Sequence, residues 1–296
     1  MIIHRIARIT CASLVAALSV CLSFNAFADE ASSSVKRHVE LEGQSNFRDI
    51  GGYKTASGNA VKRGLIFRSG QLPHLTDQDV QQLKDLNITT VFNFLTETEI
   101  TAAGKDRLPE GTLTVPLPID TDGGLAGEIL EARQKADFSK VPPDLNPQIH
   151  RMLVNQGKKE YSELLKKIAE ADEPIVFHCS HGVHRTGTAT AILLWGLGVP
   201  WETVREDYLL SNKYRKDEVD KRLKQFRDMA AKNRKIPAEQ VDMTNFQAFY
   251  ILQGNYIDAV RDEIKEKHGS IRGYMIDGLG LTDQDMRKLR KRLLRD

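Results

Sequence analysis

The sequence predicts an α/β fold: a central sheet flanked by helices, with an inserted lid and extra helices toward the C-terminus. Three observations lead there. Short apolar runs of strand length alternate with helical patterns, a stretch at 121–150 breaks that alternation with Gly-Gly, Pro-Pro and Asn-Pro pairs, and everything after Cys179 reads as helix.

Taken in order, residues 1–28 read as a secretory signal peptide. His4, Arg5 and Arg8 form a positive start, Ile9 to Phe24 an apolar stretch, and Ala26-Phe27-Ala28 a small-residue cleavage site before Asp29. The apolar run is shorter than the roughly 20 residues of a spanning helix. It predicts no stable membrane insertion after cleavage and an exported chain, periplasmic or secreted. Residues 29–40 are polar and aperiodic and read as a flexible lead-in.

Four apolar runs then predict buried strands: Gly64–Arg68, Ile88–Phe94, Thr112–Leu117 and Ile175–Cys179. Thr76 predicts the cap of a helix over TDQDVQQLKDL, with Asp79 completing a capping box. Within 121–150, Leu125–Ala136 is a short helical piece in what reads as an insertion or lid. Lys158–Ala171 predicts the helix before the last strand. Beyond it come helices at Thr186–Leu197, Trp201–Leu209, Lys213 to about Lys232, and further helix to the end. The basic stretch Arg287–Arg295 reads as a solvated amphipathic helix.

The 296 residues are 41% hydrophobic and 28% charged, ample for a packed core. Lys and Arg number 42 against 40 acidic residues, and Arg5 and Arg8 account for that surplus of +2. The remaining chain is neutral, which argues against nucleic acid as a partner. Of three cysteines, Cys11 and Cys21 fall in the signal, leaving Cys179 alone. No internal disulfide is then available, and a lone thiol in an oxidising compartment calls for a function.

That thiol sits in His178-Cys-Ser-His-Gly-Val-His-Arg-Thr-Gly187, between an apolar strand and a helix. The arrangement suits a phosphate dianion. The amides of Ser180, His181, Gly182, Val183, His184 and Arg185 can form a nest of donors. The helix that follows aims its positive end at the same point. Arg185 offers a planar fork for two phosphate oxygens. The same positive cup lowers the pKa of Cys179 and makes it a nucleophile at phosphorus. Thr186 is placed to hydrogen-bond the sulfur, and His178 to orient the loop from a buried position. A zinc site from His178, Cys179, His181 and His184 is disfavoured by their crowding in one tight loop, so no metal or other cofactor is expected.

These residues resemble the cysteine-based tyrosine and dual-specificity phosphatases, and within them the bacterial tyrosine/lipid phosphatase family. The resemblance extends through Asn46-Phe-Arg-Asp-Ile-Gly-Gly-Tyr53, Arg63-Gly-Leu-Ile-Phe-Arg-Ser-Gly70, Tyr208-Leu-Leu-Ser-Asn212, Gly269-Ser-Ile-Arg-Gly-Tyr274 and Gly278-Leu-Gly-Leu281. It implies a dual-specificity-phosphatase-like sheet in one phosphatase domain over 41–296, Cys179 as nucleophile, Arg185 as phosphate clamp, and a metal-free reaction. This chain departs from the pattern in having Val183 and His184 where relatives carry Lys-Asp, and Asn93 and Leu95 where relatives have Asp and Arg.

With the loop acid absent, the proton donor is expected at Asp120, which ends the strand before the insertion. Asp122, Asp144 and His184 are the rivals. Arg48, Asp49 and Arg68 are expected in structural salt bridges. The expected substrate is a phosphorylated protein or small phosphate ester. A phosphoinositide or inositol phosphate, a phosphate-binding module without turnover, and a rhodanese-like sulfurtransferase remain alternatives.

Overall fold

Residues 36–120 and 125–295 are described by the computed structural model. The expected signal peptide, the start of the lead-in and Asp122 lie outside them. Strands β1 (Arg48–Asp49), β3 (Ile66–Ser69), β4 (Thr90–Asn93), β5 (Leu113–Pro116) and β6 (Ile175–His178) form one sheet in the order β1-β3-β6-β4-β5. The pairs β3–β6, β6–β4 and β4–β5 are parallel, and β1 is an antiparallel edge. All four predicted strands are present: β4 and β5 are shortened at both ends, β6 by its last residue, and β3 starts two residues later and runs one further, to Ser69.

The strand β6 is central and fully buried, as a strand covered on both faces must be. Its side chains alternate between two cores. Ile175 and Phe177 join the larger one, while Val176 packs with Phe67, Val91 and Leu83 in a smaller one. Leu83 belongs to α1 (Asp77–Asp85), whose capping box at Thr76 and Asp79 is formed as the sequence predicts. Asp79 also accepts from the amides of Glu42 and Gly43, both at 2.8 Å. It therefore fastens the N-terminal segment over the smaller core.

The other face is covered by helices. These are α4 (Leu145–Gln156), α5 (Lys158–Glu170), α6 (Arg185–Leu197), α7 (Trp201–Tyr214) and α10 (Gly254–His268). Around them lie α2 (Glu97–Ala103), α3 (Leu125–Lys135), α8 (Lys216–Arg234), α9 (Thr244–Tyr250), α11 (Ile271–Gly273) and α12 (Asp283–Leu293).

Four expectations need correction. The lead-in is held from Arg37 on, whose Nη1 donates to the carbonyls of Asp49 (2.8 Å) and Gly51 (2.7 Å). The second half of 121–150 is core, not lid. Phe138 is 1% exposed, and Phe226, Phe246, Phe249 and Tyr250 surround it. The Asn-Pro pair there lies in the first turn of α4, where a missing amide proton leaves no helical bond unmade. The helix expected from Lys213 starts at Lys216, because α7 ends at a buried Arg215. Finally, the C-terminus does not end as helix. Leu294–Arg295 (β7) pairs antiparallel with Ala60–Val61 (β2) as a small second sheet.

Candidate active site

The register of the sheet decides what surrounds Cys179. Ser69 and Asn93 stand opposite His178 on either side at the carboxyl ends of β3 and β4. In a parallel sheet this is the edge where ligands bind. Cys179 leaves β6 there, 3% exposed, and the chain turns through Gly182 into α6 at Arg185.

Gly182 has φ +67°, and a Cβ there would stand 2.5 Å from the carbonyl oxygen of Ser69. Only glycine meets both conditions. The loop carbonyls are drawn backward, away from the sulfur. The Gln71 amide donates to Ser180 O (3.0 Å), Asn46 Nδ2 to His181 O (3.0 Å), and Arg68 Nη2 to Gly182 O (2.7 Å). A planar trans peptide points its carbonyl and its N–H in opposite directions. The amides of His181, Gly182 and Val183 are thereby turned to the front.

The Cys179 thiol illustrates the result. Burial alone would raise its pKa. The Arg185 charge, the Thr186 hydroxyl and the amides of Thr186 and Gly182 outweigh burial and hold it below the ordinary thiol value. The Thr186 hydroxyl is buried and makes no hydrogen bond to oxygen or nitrogen, which leaves it to the sulfur.

Arg185 is 6% exposed and already braced. Its Nη1 donates to Glu99 Oε2 (2.7 Å), Phe94 O (3.0 Å) and Ile119 O (3.2 Å), and its Nη2 to Glu99 Oε1 (2.6 Å). Burial opposes its charge, but Glu99 and Cys179 prevail and its pKa rises. A guanidinium has five N–H donors. Glu99 and the two carbonyls engage the Nη1 corner, which leaves the Nε edge for an anion. Glu99 is itself fixed as the third residue of the α2 capping box with Thr96.

His178 is wholly buried, and its Nε2 lies 2.9 Å from Asp106 Oδ2. Asp106 also accepts from the Leu72 amide (3.1 Å) and from Asn93 Nδ2 (2.9 Å). Asn93 is thus a donor to a carboxylate in this chain. The residue that stands in for an aspartate has its aspartate 13 positions later.

The remaining loop residues divide by environment. Val183 is buried in the larger core, which leaves only its backbone to a ligand. Ser180 Oγ and His181 Nδ1 lie 3.2 Å apart. Both residues line a cleft of about 390 Å³ with Gln44, Gln71, Glu218 and Arg222. Burial, then the charges of Arg215, Arg133 and Arg222, press the His181 pKa far below its usual value. Burial, then Arg185 and other arginines, bring His184 down to about 3. His184 Nε2 is bonded to Asn146 Oδ1 at 2.6 Å. Asn146 Nδ2 donates to Ala248 O and Phe249 O, so Oδ1 is the acceptor and His184 supplies the proton. A neutral imidazole committed in this way is no proton donor near neutral pH, which removes His184 as a rival to Asp120.

Asp120 is exposed and directly follows Ile119, whose carbonyl accepts from Arg185. Asp144 is exposed at the start of α4 and accepts from Gln148. Arg48 and Arg68 are buried structural cations, as expected, but their partner is Asp207 and not Asp49. Asp49 accepts from the amides of Gly51 and Gly64. Sequence reasoning missed Glu99, Asp106, Asn46 and Asp207 as parts of this site. For Glu99 a signal existed in the capping pattern Thr96-x-x-Glu99, although the pattern explains one carboxylate bond and not the pair to Arg185.

The chain matches the model of a family described as the tyrosine phosphatase family over residues 39–295. It is 25% identical over 281 residues to the triple specificity protein phosphatase PtpB of Mycobacterium tuberculosis, covering 86% of this chain and 98% of that one. It is 23% identical over 238 residues to a tyrosine-protein phosphatase of Nostoc commune, covering 79% and 76%. Among solved structures, P. aeruginosa TpbA aligns with 18% identity and a TM-score of 0.32, over 67% of this chain and 97% of that one. With a family model spanning all but the first residues of the described structure, this chain belongs to the tyrosine phosphatase family.

Proposed function

We propose that the protein is an exported phosphatase that hydrolyses phosphate monoesters, phosphotyrosine in proteins above all, through a phosphocysteine on Cys179. The observation that carries the reading is the loop itself. A buried thiol with a depressed pKa faces amides turned toward it, with a braced arginine at the helix start.

In the first step the Cys179 thiolate attacks phosphorus, forming the S–P bond as the P–O bond to the leaving group breaks. Asp120 passes a proton to the departing oxygen. The amides of Ser180, His181, Gly182, Val183 and His184 hold the equatorial oxygens together with Arg185. In the second step water attacks phosphorus and the S–P bond breaks. Thr186 donates to the departing sulfur, and Asp120 takes the water's proton. Inorganic phosphate leaves and the thiolate is restored.

Export rests on the N-terminal pattern of Arg5, Arg8, the apolar stretch and Ala26-Phe27-Ala28. Among the described residues no helix is long and apolar enough to cross a membrane. Secretion should yield a chain beginning at Asp29. Recovery of the uncut chain in the membrane fraction would overturn that part.

Hydrolysis of an aryl phosphate in EDTA should be abolished by Cys179→Ser. Turnover surviving the substitution would remove Cys179 as nucleophile. The acid is read separately. Asp120→Asn should slow alkyl phosphates by about 10²–10⁴-fold, with a far smaller effect on an aryl phosphate whose leaving group needs no proton. Equal losses on both would assign Asp120 another role.

A further inference from the structure

Behind the phosphate loop lies a group of charges that the reaction as written does not use. Arg48 and Arg68 are 0% and 1% exposed, and both pair with the single carboxylate of Asp207, itself fully buried. Arg48 Nε stands 3.2 Å from Asp207 Oδ1, and Arg68 Nη1 2.6 Å from Oδ2. Two cations thus face one anion in these ion pairs, and one positive charge is left over, buried from solvent. Tyr53 adds a neutral hydrogen bond to Asp207 at 3.0 Å and no charge. Arg68 Nε is buried without any partner.

We propose that this surplus charge, delivered by Arg68, is a second electrostatic support for the Cys179 thiolate, acting through the back of the loop while Arg185 acts from the front. Arg68 is a positioning residue and touches no substrate. Its Nη2 holds Gly182 O at 2.7 Å, which fixes the Gly182–Val183 peptide and turns the Val183 N–H toward the front of the loop, next to the Gly182 amide that acts on the sulfur. The cation and the dipole it orients therefore point the same way. Burial and the Arg48 charge bring the Arg68 pKa down to about 10, against Asp207 and the Cys179 thiolate, which favour its charge. At neutral pH it stays protonated.

Such a burden is costly. Buried cations normally match their counter-ions, and an unpaired charge in a low dielectric is disfavoured. The unmatched cation makes sense if an anion forms nearby; burial drives the Tyr53 and Tyr208 hydroxyls up and keeps them neutral, whereas the Cys179 thiol is lowered and interacts with the Arg68 charge. Other charged or titratable groups face the thiol from each packed element. Arg185 is offset by Glu99, His178 is bonded to Asp106, and Tyr161 is neutral because burial drives its pKa up. None of these leaves an unmatched cation behind the loop.

The proposal rests on Cys179 working as a thiolate, and its test needs no turnover, so the two readings fail separately. The rate of iodoacetamide alkylation is followed against pH at the peptide that carries Cys179. Arg68→Gln should raise the thiolate pKa by about one unit, as expected for loss of a nearby opposite charge. Arg48→Gln should raise it too, although Arg68 then keeps its hold on Gly182. Arg68→Lys, which keeps charge and loses the fork, should leave the pKa near the native value while lowering kcat. An unmoved pKa in Arg48→Gln, or an equal rise in Arg68→Lys and Arg68→Gln, overturns the charge argument and leaves Arg68 a mechanical brace. If Arg68→Gln does not fold, the Arg48→Gln and Arg68→Lys pair decides. Should aryl phosphate hydrolysis be absent in the native protein, the functional reading fails while the alkylation result still stands.

Discussion

Arg185 and Glu99 show how one side chain settles the state of another. The two parallel hydrogen bonds, 2.7 and 2.6 Å, fix the guanidinium before any anion arrives. Glu99→Gln keeps the shape and the capping role and removes the charge. The expected outcome is a kcat/KM on aryl phosphate lower by about a hundredfold, the scale at which a misplaced catalytic group is felt. An unchanged kcat/KM would mean that the phosphate dianion alone orders Arg185. The thiol sets the pH dependence. Because its pKa is lowered, the reactive thiolate is present above that value and is lost as pH falls through it. The acidic limb of kcat/KM should therefore fall below the ordinary thiol range, and Thr186→Val should move it upward by taking away the hydroxyl that favours the thiolate.

At the scale of elements, two motifs make different demands. The Gly182 turn tolerates no side chain, with φ +67° and Ser69 O in the way. Gly182→Ala should cost about 1–2 kcal/mol from the left-handed backbone alone, and more from the close contact, and should abolish measurable turnover. Retained activity would show that the loop can open away from β3. The α1 cap is milder. Thr76→Ala removes one cap bond at about 1 kcal/mol. Asp79→Ala should lower Tm further, because Asp79 also holds the amides of Glu42 and Gly43. Chemical denaturation of the two variants side by side checks the order.

These elements also show what sequence could tell. The strands were legible because each is a short apolar run, and α1 because Thr76 and Asp79 stand three apart. The loop was legible because all of its chemistry lies in ten consecutive residues. Its supports were not. Glu99 lies 86 positions from Arg185, Asp106 lies 72 from His178, and Asn46 lies 135 from His181. Such pairs are created by the sheet order, which places β3 and β4 on either side of β6. The core half of 121–150 was misread because Pro and Gly suggested loop while Phe138 gave no periodic signal.

The whole molecule distributes buried charge toward one end of its sheet. Asp207, Asp106 and Glu99 are each held below the usual carboxylate range. Burial opposes this in all three, and bonded cations or imidazole outweigh it. For groups with depressed pKa values, the stabilisation is complete above the unfolded value of about 4 and is lost as pH falls below it. Tm should be steady from about pH 7 to 8, decline below the unfolded histidine value of about 6.5, because burial keeps His150, His181 and His184 from taking a proton that the unfolded chain accepts, and drop more steeply below about 4. A Tm unchanged from pH 8 to 5 would contradict this and show that the three histidines take up protons in the folded protein. The β2–β7 pairing, unforeseen because two-residue strands carry no pattern, closes the chain's end onto residues 60–61.

The central claim is that phosphate passes through Cys179. The most direct measurement is rapid acid quenching of the enzyme during turnover of an aryl phosphate, followed by mass analysis of the peptide that carries Cys179. The account expects that peptide to be heavier by one phosphoryl group, with the signal gone in Cys179→Ser. Turnover with an unmodified Cys179 peptide, or with the phosphoryl group on another residue, would contradict it.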